Sequence, residues 1–317
     1  MAESSFVDVK GVSVVYSRAG SVLDRLVGKP PQTFTALRNI SFQLAPGDHV
    51  TLYGHPGSGK TTLLQLLTGL ITPTSGRVTV NGTRRLASNL HAAAGYISSE
   101  EPERHPDTVH DVLYTFGTTH SIPHLVEKLT DVLTIAGLDP VAHRPALTLS
   151  KTERLRLNMA RAALSDAPLI LLDDVADELG PKIFRNLLQR LFPHRTAIVA
   201  TRSAAVAEEL GLPLLLLHAN ALAQRGTRDD IAASLRVRRV VEAWVEGVRY
   251  DMLRRLKTHP GVVSVQLLPT TRFAGQHLRI TLRSSEYLPS LYDLLSQASL
   301  IEVTEIPPSL QEIVERL

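Results

Sequence analysis

The chain has 317 residues, a net charge of +3 and no cysteine, so disulfides, cysteine-ligated zinc and thiol nucleophiles are excluded. Its 34 Lys+Arg residues are spread without a dense basic tract, which argues against nucleic acid as a partner. No apolar run approaches the ~20 residues that cross a bilayer, and the first residues, MAESSFVDVK, lack the apolar core of a secretion signal.

In chain order, the Val-rich alternation of residues 7–16 predicts a strand. Residues 17–35 read as a loop with a short helical piece, closed by KPPQ. TALRNISFQLAPGD gives a second strand and a turn at Pro46-Gly47. HVTLYGHPGSGKTTLLQLLTGL predicts an apolar strand, a glycine loop and an amphipathic helix. SGRVTVNG is a strand closed by Asn81-Gly82. Residues 100–146 are largely helical with proline breaks. APLILLDD, RTAIVATR and PLLLLH are uninterrupted apolar runs of the kind buried on both faces of a parallel sheet. Strands alternating with helices predict an α/β fold.

After about residue 230 the texture changes to strand, helix, two strands, helix, strand: a βαββαβ, ferredoxin-like α+β pattern, closed by the amphipathic SLQEIVERL. Two domains are expected, at 1–230 and 235–317, with a linker near 225–234. The arginines of RVRRVVEAWVEGVR are expected on a solvated face, and His105, His110, His120 and His124 as surface histidines.

GHPGSGKT, Gly54–Thr61, fits the phosphate-binding pattern G-x-x-x-x-G-K-[ST]. Gly54, Gly57 and Gly59 let consecutive backbone N–H groups turn inward, and the following helix start adds donors for phosphate oxygens. His55, Pro56, Ser58 and Thr62 complete the loop and its first helical turn. Lys60 supplies a mobile charge for the outer phosphates, and the Thr61 hydroxyl suits Mg²⁺. Such a loop needs a second carboxylate at the end of a neighbouring strand, and Asp173 ends LILLD.

These landmarks resemble the ATP-binding cassette (ABC) ATPases over residues 5–230. Tyr16, the phosphate loop, GYISSEEP, LSKTERLRLNMARAAL, LILLDD and AIVATR occur in that family's order, and the 113 residues from Lys60 to Asp173 leave room for its helical subdomain at about 100–165. The resemblance implies a P-loop NTPase domain that binds ATP and Mg²⁺, with Tyr16 stacking on the base and Thr61 and Asp173 at the metal. It also implies a dimer, of this chain with itself or with a second ABC ATPase, docked on a separate membrane permease at the cytoplasmic face.

Four positions depart from the family pattern. Ser99 stands where a glutamine is usual; Glu100 is one place away. LSKTE, Leu149–Glu153, replaces LSGGQ; Ser150 remains to cap a helix and donate to phosphate, while Lys151 and Thr152 replace glycines. Asp174 stands where the resemblance puts a glutamate as general base, one methylene shorter, and Arg202 where it puts a histidine on the γ-phosphate. A reacting group misplaced by ~1 Å can lose ~10²-fold in rate, and arginine binds phosphate without accepting a proton. MgATP binding with slow hydrolysis is therefore expected. DDVADELG also lacks the family's SALD dimer-contact loop. The extended entry at residues 16–42 resembles polysaccharide-export subunits, and the C-terminal unit resembles the accessory domain of drug-efflux and gliding-motility ABC ATPases. Both place the chain in an ABC-2-like exporter group. The alternative is an ATP-gated assembly module without a transport role.

Overall fold

A computed structural model describes residues 5–18, 32–84, 94–100, 106–165, 167–248, 250–269, 275–297 and 299–317. The helical piece expected within 17–35, His105 and the end of GYISSEEP lie largely outside these residues. The chain divides into two compact units, 1–225 and 226–317.

The N-terminal unit opens with β1 (Val7–Arg18) and β2 (Gln32–Leu44), an antiparallel pair that places Tyr16 opposite Phe34. β3 (His49–Gly54) runs into the phosphate loop and α1 (Lys60–Thr68). β4 (Ser75–Val80) and β5 (Thr83–Arg84) form a hairpin whose turn residues Asn81 and Gly82 both have positive φ. β6 (Ala94–Ser98) precedes the helical segment: α2 (Val109–Thr119), α3 (Leu125–Ala136) and α4 (Lys151–Leu164). β7 (Leu169–Asp173), α5 (Val175–Leu179), α6 (Pro181–Leu191), β8 (Thr196–Thr201), α7 (Ala204–Leu210), β9 (Leu214–His218) and β10 (Ala221–Gly226) complete it.

The order β10-β9-β3-β8-β7-β6 puts β3, β7 and β8 in the interior of the sheet. All five residues of β7 and all six of β8 are buried, which is why these runs lack alternation. Each buried Leu contributes ~1.5–3 kcal/mol relative to an exposed one, enough to fix the central strands whatever the loops do. Two apolar clusters flank this sheet. One joins it to the helical segment; the other packs α1 against the antiparallel sheet β2-β1-β4-β5. The parallel strands β3, β8, β7 and β6 deliver Gly54, Thr201, Asp173 and Ser98 to one carboxy edge, the place where open α/β sheets bind ligands.

The C-terminal unit begins with α8 (Arg228–Ser234), where a linker was expected. Thr227 and Asp230 form a capping box that starts this helix. β11 (Arg239–Glu246), α9 (Tyr250–Thr258), β12 (Val262–Leu268), β13 (Gln276–Leu282), α10 (Leu288–Leu295) and β14 (Ser299–Ile306) follow, then α11 (Leu310–Val314). The antiparallel order β12-β13-β11-β14 is the ferredoxin-like arrangement of a βαββαβ unit. Val241, Ala243, Val245, Leu278, Ile280, Leu282, Leu291 and Leu295 form its core. Arg239, expected on a solvated face, is 9% exposed and pairs with Asp229 at 3.3 Å, because α8 covers that end of β11.

Candidate nucleotide site

The phosphate loop owes its shape to two glycines. A Cβ on Gly54 would lie 2.7 Å from the Leu217 carbonyl oxygen, and one on Gly59 2.4 Å from that of Ala36. Gly59 also has φ 95°, so any other residue there is strained as well as blocked. His55, Pro56 and Gly57 are exposed at the loop tip, Ser58 is buried beneath it, and Thr62 is half-buried in the first turn of α1. This cradle of backbone around a buried lysine fits a chain of phosphates.

Lys60 is 8% exposed and donates to the carbonyls of Gly54 at 2.7 Å and His55 at 3.2 Å. Burial pulls its pKa below the ordinary lysine value; the charges of Asp174, Asp173 and Asp177 act in the opposite sense. An ammonium kept on backbone carbonyls under three carboxylates is poised to exchange them for phosphate oxygens.

Thr61 donates to Asp173 Oδ2 at 2.7 Å, and Tyr96 donates to the same oxygen at 3.1 Å. A hydroxyl and a carboxylate in contact are hard oxygen donors of the type Mg²⁺ takes. Ser99 lies beside them: its N–H donates to the Asp173 carbonyl at 3.0 Å, continuing the β6–β7 ladder, and its side chain is half-buried, while Glu100 is exposed.

Asp174 adopts the left-handed conformation at the start of α5, with φ 54°, a region that aspartate tolerates. Its side chain does not cap the helix. Burial, then the charges of Asp177 and Asp173, push its pKa up, while Lys60 and Arg202 hold it down. Asp177 is also pushed up by burial, although Thr201 donates to its Oδ1 at 2.9 Å. Arg202 is exposed directly after β8, and its charge reaches Lys60, Asp174 and Asp177.

The LSKTE segment starts α4. The Ser150 hydroxyl accepts from the Glu153 N–H and donates to Glu153 Oε2, and the Ser150 N–H donates to the same carboxylate oxygen. Lys151 pairs with Glu178 of α5 at 2.5 Å. Both side chains are thus engaged within this chain. Tyr16 is 41% exposed and Phe34, its cross-strand neighbour, 59%. Phe34 lies two residues, about 7 Å along β2, before Ala36, whose carbonyl closes on Gly59, and Tyr16 lies opposite Phe34 on β1.

Phe34, Tyr96 and Asp177 were not singled out from the sequence. Tyr96 lies in GYISS, the run that forms β6; there Ser98 pairs with Asp173 in the parallel ladder, which puts Tyr96 close to the Asp173 carboxylate. Phe34 and Asp177 carried no sequence signal. Of the histidines, His120 and His124 are exposed and His110 half-buried; no group of three or more metal-ligating side chains occurs among the described residues, and none of their helices is long and apolar enough to cross a membrane.

Residues 37–177 match the family model for ABC transporters. The chain is 31% identical over 224 residues to the Fe(3+) ions import ATP-binding protein FbpC of Brucella abortus (strain 2308), covering 68% of this chain and 63% of that protein. It is 30% identical over 207 residues to the ATP-dependent lipid A-core flippase of Burkholderia orbicola (strain AU 1054), covering 62% of this chain and 35% of the flippase. The match thus spans less than two thirds of either relative. Two solved structures share the fold: CbiO1 of Clostridium perfringens, part of the ABC transporter complex CbiONQ, at TM-score 0.60, 16% identity and coverage of 81% and 96%, and the ADP- and phosphate-bound cassette MJ0796, at TM-score 0.54, 20% identity and coverage of 70% and 98%. With the phosphate loop, the Thr61–Asp173 contact and the parallel sheet in this order, the chain belongs to the ABC transporter ATP-binding family.

Proposed function

We propose that this chain is the ATP-binding subunit of a membrane export complex, and that it binds MgATP at a dimer interface and hydrolyses it slowly. The observation that carries the reading is the join of Lys60, Thr61 and Asp173 at the carboxy edge of the sheet. The phosphate loop would hold the phosphates through its N–H groups, with Lys60 moving from the Gly54 and His55 carbonyls to the outer phosphates. Thr61 and Asp173 would hold Mg²⁺, which supplies charge neutralisation at the transferring phosphoryl group. Tyr16 and Phe34 present an aromatic platform for the base. Ser99 and Asp174 stand beside the metal carboxylate as water-positioning groups, and exposed Arg202 as a phosphate contact.

Slow turnover is supported by the short Asp174 side chain and by the cation at 202, which holds γ-phosphate without taking a proton. Export is supported by the ferredoxin-like C-terminal unit, which resembles the accessory domain of efflux subunits. The permease would be a separate chain, placing this subunit at the cytoplasmic face of the membrane. CbiO1, a fold relative, is itself one part of a multi-protein transporter complex. Co-purification from the native host tests this: a membrane protein of several spans should be recovered with the chain. An ATP-gated assembly role is the second reading, favoured by the Ser150 capping box and the Lys151–Glu178 pair, which keep the LSKTE segment on its own chain. Recovery of other soluble proteins, in amounts that follow ATP, would favour it.

A further inference from the structure

We propose that Asp177 is a water-holding residue of the nucleotide site, and that with Asp174 it seats the water that attacks the γ-phosphate. This role rests on the nucleotide-site reading above and falls to a carboxylate that the reading leaves unused.

The first ground is placement. Thr201, which donates to Asp177 Oδ1 at 2.9 Å, is the last residue of β8 and stands in register with Tyr53, the residue before Gly54. β8 lies between β3 and β7 in the sheet. The tether therefore brings Asp177 to the middle of the carboxy edge, between the strand that carries the phosphate loop and the strand that carries Asp173. Thr201 is fully buried and its hydroxyl also accepts from the Ser203 N–H, so the anchor is itself fixed.

The second ground is two orphaned oxygens. Asp177 Oδ2 and Asp174 Oδ1 are both closed off from solvent without a hydrogen-bond donor among the described residues. A buried acceptor left unpaired costs ~1–3 kcal/mol, and more when charged. Among the neighbouring donors, Lys60 is engaged on two carbonyls, Thr61 on Asp173 and Thr201 on the other Asp177 oxygen, while exposed Arg202 acts on both carboxylates through its charge and makes no hydrogen bond to either orphaned oxygen. A water molecule carries two donors, one for each carboxylate, once nucleotide binding opens room for it at these two oxygens. Asp177 follows Asp174 by three residues across the first turn of α5, which keeps the two carboxylates on neighbouring positions of one short helix.

The chemistry follows. Asp174 alone is a methylene short of the usual glutamate, so a water held only by it sits back from the phosphorus. A second carboxylate fixes the water's other hydrogen and with it the direction of the oxygen lone pair. In the step, the water oxygen bonds to the γ-phosphorus as the bond to the β–γ bridging oxygen breaks. The electron pair of that bond leaves with ADP. The proton of the water passes to the Asp177 carboxylate and then to the departing inorganic phosphate, which carries it out of the site.

The test is steady-state phosphate release by the full chain, paired with calorimetric titration by MgATP. Asp177→Asn should lower kcat by about tenfold or more, with KM and the calorimetric Kd within about twofold of wild type. Thr201→Val, which removes the tether, should lower kcat in the same direction with binding kept, and Asp177→Glu should retain more activity than Asp177→Asn. Wild-type kcat in Asp177→Asn overturns the proposal, as does a parallel loss of rate and affinity, which marks a structural role. Phosphate release by wild type no faster than by Lys60→Ala also overturns it, while the titration of wild type judges the nucleotide-binding reading separately.

Discussion

Thr61 gives its hydroxyl hydrogen bond to Asp173 Oδ2 across 2.7 Å, closing the first turn of α1 onto the end of β7. The two residues are separated by over a hundred positions in the chain. A divalent cation in the site would be held by these same two side chains, the carboxylate acting directly or through water. Asp173→Asn should therefore weaken MgATP binding by about tenfold or more and leave binding of ATP in excess chelator nearly unchanged. Calorimetry with and without Mg²⁺ makes the comparison; equal losses in both would place Asp173 outside the metal site.

The loop glycines separate strain from steric block. Gly57 has φ 79° and nothing within 4 Å of where a methyl would stand, whereas Gly59 has φ 95° and a backbone carbonyl 2.4 Å away. Gly57→Ala should cost ~1 kcal/mol of conformational strain. Gly59→Ala should cost more, since the Ala36 carbonyl must move to admit the methyl, and it should lower the melting temperature further than Gly57→Ala does. Equal melting temperatures would contradict the cradle geometry.

Burial raises the pKa of Asp177 above 3.8, and this has a stability consequence. A carboxylate whose folded pKa is raised favours folding below 3.8, where it is protonated in both states, and loses that contribution as pH rises through the folded pKa. At about pH 8 the half-buried charge opposes folding, so Asp177→Asn should raise the melting temperature of the nucleotide-free protein, by a small amount because solvent screens a half-exposed carboxylate. The difference should shrink as the pH is lowered towards 3.8. Thermal scans at several pH values check the sign; a variant less stable than wild type at about pH 8 would show that the Thr201 bond outweighs the burial.

The C-terminal unit has its own core of Val241, Ala243, Val245, Leu278, Ile280 and Leu282 under two helices. Residues 226–317 expressed alone should give one cooperative thermal transition and mixed α/β circular dichroism. Starting at 235 instead should destabilise the product, because Asp229 of α8 is the partner of buried Arg239. A disordered spectrum from 226–317 would mean that this unit does not fold on its own.

What was legible in the sequence was local. GHPGSGKT is contiguous, its strand and helix flank it directly, and β7 and β8 announce themselves as unbroken apolar runs. What was not legible depends on partners distant in the chain. Asp177 matters through Thr201, Tyr96 through Asp173, and Phe34 through Tyr16 across a strand pair. Arg239 looked solvated because the neighbour that buries it, α8, occupies a stretch that reads as a linker until the Thr227–Asp230 capping box is seen. Lys151 reads in the sequence only as a replacement for a glycine; its pairing with Glu178 joins two segments that no periodicity connects.

The site proposed for this chain must hold MgATP firmly and turn it over slowly. Phosphate release by wild type at saturating MgATP, with Lys60→Ala as background, tests this most directly. The expected result is a rate above that background and below ~1 s⁻¹, the lower end of ordinary enzyme turnover, rising when Asp174→Glu and Arg202→His are combined by more than either change alone. A wild-type rate at or above ~1 s⁻¹ would contradict slow turnover and make Asp174 and Arg202 fully competent replacements.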